Sequence, residues 1–248
     1  MNSLSKSQEL LKALRLKETA HYLPTLVKEA ETNDSSYLTF LNCILEYEQK
    51  RREEKQLEKR LKWANFPFQR TIDEFNLEEQ QSLSRKQLNQ LKELTWIEQL
   101  YNIIFLGPPG VGKTHLAVGL GFVAINQGYK VMFITMGELI HTLKTEEISR
   151  KSQTKIKRIR SADLIIIDDL MFMAMDQHEA NLFFHLINDL YNKSSIILTS
   201  NKAPKEWGEL LGDPAITTAI LDRILHKAEI IHLNADPSII LFRNRLAD

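Results

Sequence analysis

Five short apolar runs, NIIFL, KVMFIT, LIIIDD, SIILTS and EIIHL, recur between residues 102 and 233, with segments of helical spacing between them. The runs are nearly continuous in apolar, often β-branched residues. Strands of that kind are covered on both faces, as in a parallel sheet. Parallel neighbours need long crossover connections, and the intervening segments can supply them as helices. The expected fold is therefore α/β, a five-stranded parallel sheet within a three-layer domain.

The chain before this region reads differently. Leu10, Leu11, Leu14, Ala20, Leu23, Leu26, Val27 and Ala30 recur at helical spacing. Pro24 is expected at the start of a second short helix. NDSS (33–36) reads as an N-cap cluster, and a long helix should follow with Leu38, Leu41 and Leu45 on one face. That helix runs into EYEQKRREEKQLEKRLKWA, where Glu46–Lys50 and Glu48–Arg52 stand in the favourable order for helical ion pairs. The balanced charge makes this run either a solvated exterior or a docking surface for protein or DNA. NFPFQRTIDEFNLEEQQSLSR (65–85), with Pro67, breaks the pattern and reads as a linker. The expected division is a small all-helical oligomerisation or partner domain over 1–65 and an α/β domain over 66–248.

Composition narrows the function classes. Hydrophobic residues make up 43% and charged residues 26% of the 248, an ordinary globular balance. Lys+Arg and Asp+Glu are both 32, so a polyanionic partner would have to be met by a local cluster of basic residues. Cys43 is the only cysteine, which rules out an internal disulfide and a cysteine-based metal site and suits a reducing cytoplasm. Charges interrupt every apolar run of the N-terminus, and no run approaches the ~18 residues that cross a bilayer.

Residues 107–114 read GPPGVGKT, a full match to G-x-x-x-x-G-K-[ST], with a strand expected before it and a helix after it. Gly107, Pro108, Pro109, Gly110, Val111 and Gly112 form a tight loop whose backbone N–H groups, with the helix start through His115, cradle phosphates. Lys113 should reach the β- and γ-phosphates of ATP, and the Thr114 hydroxyl should meet Mg²⁺. LIIIDDL (164–170) brings two carboxylates to a strand's C-terminal end, where open α/β sheets bind ligands. Asp168 would hold Mg²⁺ and Asp169 would polarise the attacking water; alternatively the pair caps the next helix. Asn201 follows SIILTS and either orients water near the γ-phosphate or forms a turn. Arg223, on a helix before the last strand, either reaches a neighbour's nucleotide or makes a surface ion pair. RKSQTKIKRIR gathers Arg150, Lys151, Lys155, Lys157, Arg158 and Arg160 without an acid, a candidate phosphate-binding surface or a helix face neutralised in three dimensions by Asp163 and other acids. The histidines show no metal-binding spacing; His178 and His185 share one helical face.

A phosphate loop, a paired-acid strand, a polar strand tip and a late arginine in this order resemble an AAA+ ATPase. GPPGVGKTHLAVGLG, QGYKVMFIT, LIIIDDL, ILTSN and AILDRILHKAEII resemble the IstB-like family more closely, as do LKALRLKETAHYLPTLVKEA, the EYEQKRREEKQLEKRLKWANFP helix and TIDEFN. These are helper ATPases of insertion-sequence transposases, related to DnaC-type helicase loaders. The resemblance implies an AAA+ core behind a helical N-terminal domain. It also implies ATP-dependent homo-oligomerisation on double-stranded DNA and recruitment of a cognate transposase. Carried over, Lys113 and Thr114 are the phosphate and magnesium residues, Asp168 and Asp169 the acidic pair, Asn201 the first sensor, and Arg223 a finger supplied in trans. Two departures stand out. The acidic pair is Asp-Asp where many AAA+ proteins have Asp-Glu. The chain also reaches Asp248 too soon after Arg223 for a full helical lid, leaving Arg243 and Arg245 as the arginines in the tail, where the family's polar stretch aligns poorly. A helicase loader and a small-molecule phosphotransferase are the alternative functions.

Overall fold

The computed structural model describes residues 3–77, 80, 82–170, 175–209 and 214–234. They divide into two compact units, one ending at Lys59 and one beginning at Arg60.

The first unit is helical: α1 (Ser3–Ala13), α2 (Lys17–Thr32) and most of α3 (Tyr37–Ala64). Ser36 caps α3, its Oγ accepting from Thr39 N at 3.2 Å. Helices α2 and α3 run antiparallel, with Tyr22 stacked on Tyr47 at 4.6 Å and the Thr19 hydroxyl donating to Glu48 Oε2 at 2.6 Å. Pro24 lies inside α2, not at its start. A proline there has no N–H for the carbonyl four residues back, Ala20 O. Gln8 Nε2 from α1 donates to that oxygen at 2.9 Å, so the loss is made good by a residue far away in sequence. The face carrying Leu38, Leu41 and Leu45 is exposed.

The second unit holds the parallel sheet. After α4 (Arg85–Lys92) and α5 (Thr95–Glu98) come β1 (Asn102–Leu106), α6 (Lys113–Asn126), β2 (Val131–Thr135), α7 (Met136–Lys144), α8 (Arg150–Arg160), β3 (Leu164–Leu170), α9 (Gln177–Leu190), β4 (Ser195–Ser200), α10 (Pro214–Leu225) and β5 (Ala228–His232). The strand order is β2-β3-β4-β1-β5, all parallel. All five apolar runs are strands. Those of β1 and β4 are buried at every position, whereas β5 is an edge strand with Glu229 and His232 exposed, charge and polarity that discourage further pairing. Phe183, Ile134, Ile165, Ile167, Leu198 and Trp207 join one core around the sheet. Strand β4 lies between β1 and β3, so its tip separates the loop after β1 from the acids of β3. That is the crevice where ligands of open α/β sheets bind.

The segment 65–85 differs, in its described residues, from the linker expected of it. Ile72 is 3% exposed, and the ring of Phe66 stacks at a tilt on Phe122 of α6, 4.7 Å between centroids. A Cβ on Gly121 of α6 would come within 2.7 Å of Phe66, so the helix carries glycine where this segment crosses it. Phe66 and Ile72 outweigh Pro67 and the polar residues between them, and the segment belongs to the second unit. Among the described residues no helix is long and apolar enough to cross a membrane.

Candidate nucleotide-binding site

The loop after β1 is fastened on several sides. Gly107 N donates to Ser200 O at the tip of β4, 3.2 Å away. Gln80 Nε2 donates to Val111 O at 3.3 Å, and its Oε1 accepts from the Ser82 hydroxyl. Gly112 has φ +93°, and a Cβ there would come within 2.6 Å of the Phe75 ring, so only glycine fits. His115 Nε2 meets Thr71 O at 3.0 Å with Phe75 edge-on to its ring. Helix α6 begins at Lys113 with Gly112 as its N-cap, which has no side chain to take up the first N–H groups. Those donors and the helix dipole favour an anion. Lys113 is 8% exposed, and its Nζ donates to Gly107 O at 2.8 Å and Pro108 O at 2.9 Å. An ammonium has three donors, so the loop carbonyls leave capacity for a phosphate oxygen. Burial pulls the Lys113 ammonium below the ordinary lysine value, while the charges of Asp169 and Asp168 oppose that.

Thr114, in the first turn of α6, and Asp168, at the end of β3, come together. The Thr114 hydroxyl lies 2.9 Å from Asp168 Oδ1 and 3.2 Å from Oδ2. Thr199 of β4 donates to Asp168 Oδ1 at 2.6 Å. Asp168 is 6% exposed and, among the described residues, makes no ion pair. Burial, helped by Asp169, pushes its carboxyl above the ordinary aspartate value against the Thr199 and Thr114 hydroxyls and Lys113. A buried carboxylate beside a hydroxyl, without a cation of its own, fits Mg²⁺. This hard ion takes few protein ligands and completes its shell with water and phosphate oxygens. Among the described residues no group of three or more His, Cys, Asp or Glu could hold a metal by itself.

Asp169 does not follow Asp168 inward. Ile167 pairs with Leu198 and Leu170 with Ser200, so Asp168 and Asp169 together oppose Thr199 alone. This is a β-bulge, which bends a strand and re-aims a side chain. Asp169 sits at φ +56°, a left-handed conformation that Asp tolerates better than most residues, and is exposed. Nothing in the run LIIIDDL marks the bulge, and the polar residue that stands out at the β4 tip is Asn201, not Thr199. The only trace of Thr199's role was a hydroxyl at the end of an apolar run. Asn201 is exposed and directly follows β4.

Arg223 stands apart from this cluster. Asn102 Nδ2 donates to Ile224 O at 2.8 Å, and Asn102 begins β1, so this end of α10 lies at the sheet edge opposite the phosphate loop. Arg223 Nε donates to Asn188 Oδ1 at 3.0 Å, Nη1 donates to Ala219 O at 2.9 Å, and the guanidinium lies 4.9 Å from the Phe184 ring centroid. The fold therefore does not bring Arg223 to the loop of its own chain. The six basic residues of α8 separate into two groups. Lys155 pairs with Glu138, and Arg160 with Glu146 and Asp189. Arg150, Lys151, Lys157 and Arg158 are exposed and make no ion pair among the described residues, and with Thr154 they form one helical face. Asp163 accepts from Lys130 N instead of meeting α8. Arg243 and Arg245 lie outside the described residues.

This arrangement has close relatives. Residues 9–245 match the model of the IstB-like ATP binding protein family. The ATP-binding protein of insertion sequence IS21 from Pseudomonas aeruginosa is 37% identical over 92% of this chain and 86% of its own length. That of insertion sequence IS232 from Bacillus thuringiensis subsp. berliner is 36% identical over 94% of this chain and 93% of its own. Among solved structures, DnaI superposes with a TM-score of 0.56 at 16% identity, over 66% of this chain and 90% of its own. The DnaC helicase loader superposes with a TM-score of 0.52 at 23% identity, over 68% and 96%. These two share the AAA+ fold. The chain belongs to the IstB-like family of ATP-binding proteins.

Proposed function

We propose that this chain is an ATP-dependent, DNA-binding helper of an insertion-sequence transposase, working in the cytoplasm as a homo-oligomer. It assembles on duplex target DNA, deforms it and recruits the transposase, and ATP hydrolysis ends the assembly. The observation that carries this reading is the meeting of Thr114 with Asp168 beneath the phosphate loop, with Asp169 turned outward beside it. The names of the relatives, ATP-binding proteins of insertion sequences, support the transposition setting.

The residues divide the work as follows. The loop N–H groups and Lys113 hold the β- and γ-phosphates and stabilise charge that develops on the transferred group. Thr114 and Asp168 would hold Mg²⁺, which would supply positive charge against the phosphate oxygens. Asp169 accepts a proton from the water whose oxygen attacks the γ-phosphorus as the bond to the β-phosphate oxygen breaks. Asn201, at the tip of the strand between loop and acids, orients that water. Arg223 of a neighbouring protomer completes the site, which ties hydrolysis to assembly. The free face of α8, repeated along an oligomer, contacts the DNA backbone with little sequence preference.

The test is binding to random-sequence duplex and single-stranded DNA, with and without ATP, by wild type and Lys113→Ala. Duplex binding that needs ATP, weakens with salt and is lost in the variant is expected. A preference for single strands would point to a helicase loader, and no DNA binding in any state to a phosphotransferase.

A further inference from the structure

We propose that Thr199 is a positioning residue for hydrolysis, locking the bulge that separates the tasks of Asp168 and Asp169. The inference rests on the ATPase reading above. Thr199 is fully buried in β4, beside Phe105 of β1, and touches both acids at once. Its Oγ1 donates to Asp168 Oδ1 at 2.6 Å and accepts from Asp169 N at 2.9 Å. A hydroxyl has one proton and two lone pairs. An ionised carboxylate can only accept and a backbone N–H can only donate, so the direction of both bonds is fixed.

The Asp169 N–H would meet a strand partner in an unbroken ladder. The bulge removes that partner, and the Thr199 hydroxyl replaces it. The same oxygen thus fixes the Asp168 carboxylate beside Thr114 and holds the backbone that turns Asp169 outward at φ +56°. Without it, a regular strand would send the two successive side chains to opposite faces of the sheet, with the second no longer aimed by the bulge. The end of β4 and the residue after it then carry two tasks within three residues: Thr199 sets the acids, and Asn201, in the function proposed above, orients the water.

Thr199→Val keeps the shape and removes both bonds, whereas Thr199→Ser keeps the hydroxyl. Two readouts are taken on the full chain: amide exchange at Asp169, and steady-state hydrolysis with duplex DNA beside the affinity for a non-hydrolysable ATP analogue. In Thr199→Val the Asp169 amide should exchange at least ~10-fold faster. The kcat should fall ~10–100-fold, the usual loss when a supporting partner of a metal ligand is removed, with analogue affinity changed less than about threefold. Thr199→Ser should recover both. Wild-type exchange and kcat in Thr199→Val would overturn the proposal, as would a Thr199→Ser variant as impaired as Thr199→Val. Loss of analogue binding in step with kcat would also overturn it, because Thr199 would then support the whole loop and not the acids. If the wild type hydrolyses no ATP under any condition, the ATPase reading fails, and the exchange data still decide whether Thr199 holds the bulge.

Discussion

Glu48 in the helical unit and Asp168 in the sheet unit are both 6% exposed, yet their carboxyl groups shift in opposite directions. Burial works to raise Glu48. The Thr19 hydroxyl, Arg52 and the Thr19 N–H together outweigh it and hold the group below the ordinary carboxylate value. Arg52 Nε lies 2.8 Å from one oxygen, and Thr19 uses the other through its hydroxyl and N–H. Asp168 has hydroxyl partners but, among the described residues, no ion pair, and burial beneath the end of the sheet wins. The difference separates a charge that is spent on the fold from one held in reserve. A buried carboxylate with a cation and full hydrogen bonding is structural, while one pushed up by desolvation at a ligand crevice is a candidate for function.

The largest effect that would break this comparison is on catalysis. Asp168→Asn should lower kcat by roughly 100-fold, since in the proposed mechanism it removes the carboxylate that would hold Mg²⁺. Glu48→Gln should leave kcat per folded molecule within about twofold, because the residues proposed to act on the phosphates all belong to the second unit. Steady-state ATPase assays on both variants check the pair. Equal losses would dissolve the distinction.

Stability should reverse the ranking. Glu48→Gln gives up a charge-assisted bond and leaves Arg52 without its partner, at a cost of about 1–3 kcal/mol. Asp168→Asn removes a desolvated charge while keeping an acceptor for Thr199 and Thr114, so unfolding without nucleotide or Mg²⁺ should be unchanged or harder. The pH slopes follow with opposite signs. The folded value of Glu48 is depressed, so its contribution is present above the unfolded value of about 4.3 and is lost as pH falls through the folded one. The folded value of Asp168 is raised, so the cost of its burial grows as pH rises from the unfolded value to the folded one and is complete above it, and acid relieves the cost. Denaturant titrations of wild type and both variants between neutral pH and the carboxylate range read these slopes. A Glu48→Gln variant with the wild-type acid slope would remove Glu48 from the account.

How much of this was legible before the fold was known depended on distance in sequence. The five strands, the phosphate loop, Ser36 as a cap and the meeting of Thr114 with Asp168 each follow from local pattern plus one rule about where sheets bind ligands. The bulge was hidden because it exists only in the register of β3 against β4, which no run of residues in β3 encodes. Pro24 was misplaced because the group that satisfies Ala20 O is Gln8, on another helix. The segment 65–85 was read from Pro67 and its polar residues, although Gly121 inside α6 and the phenylalanines of NFPF pointed to a close approach. Arg223 reads, from its place before the last strand and from the resemblance, as a finger for a neighbour's nucleotide, with a surface ion pair as the alternative. Its hydrogen bonds to Asn188 and Ala219, far from its own loop, leave that assignment to a measurement between protomers.

The smallest effect extends the comparison to cations. On α8, Lys155 and Arg160 are spent on Glu138, Glu146 and Asp189, whereas Arg150, Lys151, Lys157 and Arg158 are not. Neutralising one free cation should weaken duplex binding uniformly across sequences and reduce the slope of log affinity against log salt by about 1. Neutralising Lys155 or Arg160 should move the slope by much less, because each already faces an acid of its own chain, and removing it exposes that acid. Lys157→Gln and Arg158→Gln, set beside Lys155→Gln and titrated with duplex DNA over a range of salt, give the contrast. Equal slope changes for all three would mean that DNA breaks the ion pairs on binding, and spent and reserved charge would then be no guide to this surface. An unchanged slope in all three would move the DNA contact off α8, while leaving the nucleotide site and its reserved carboxylate as they stand.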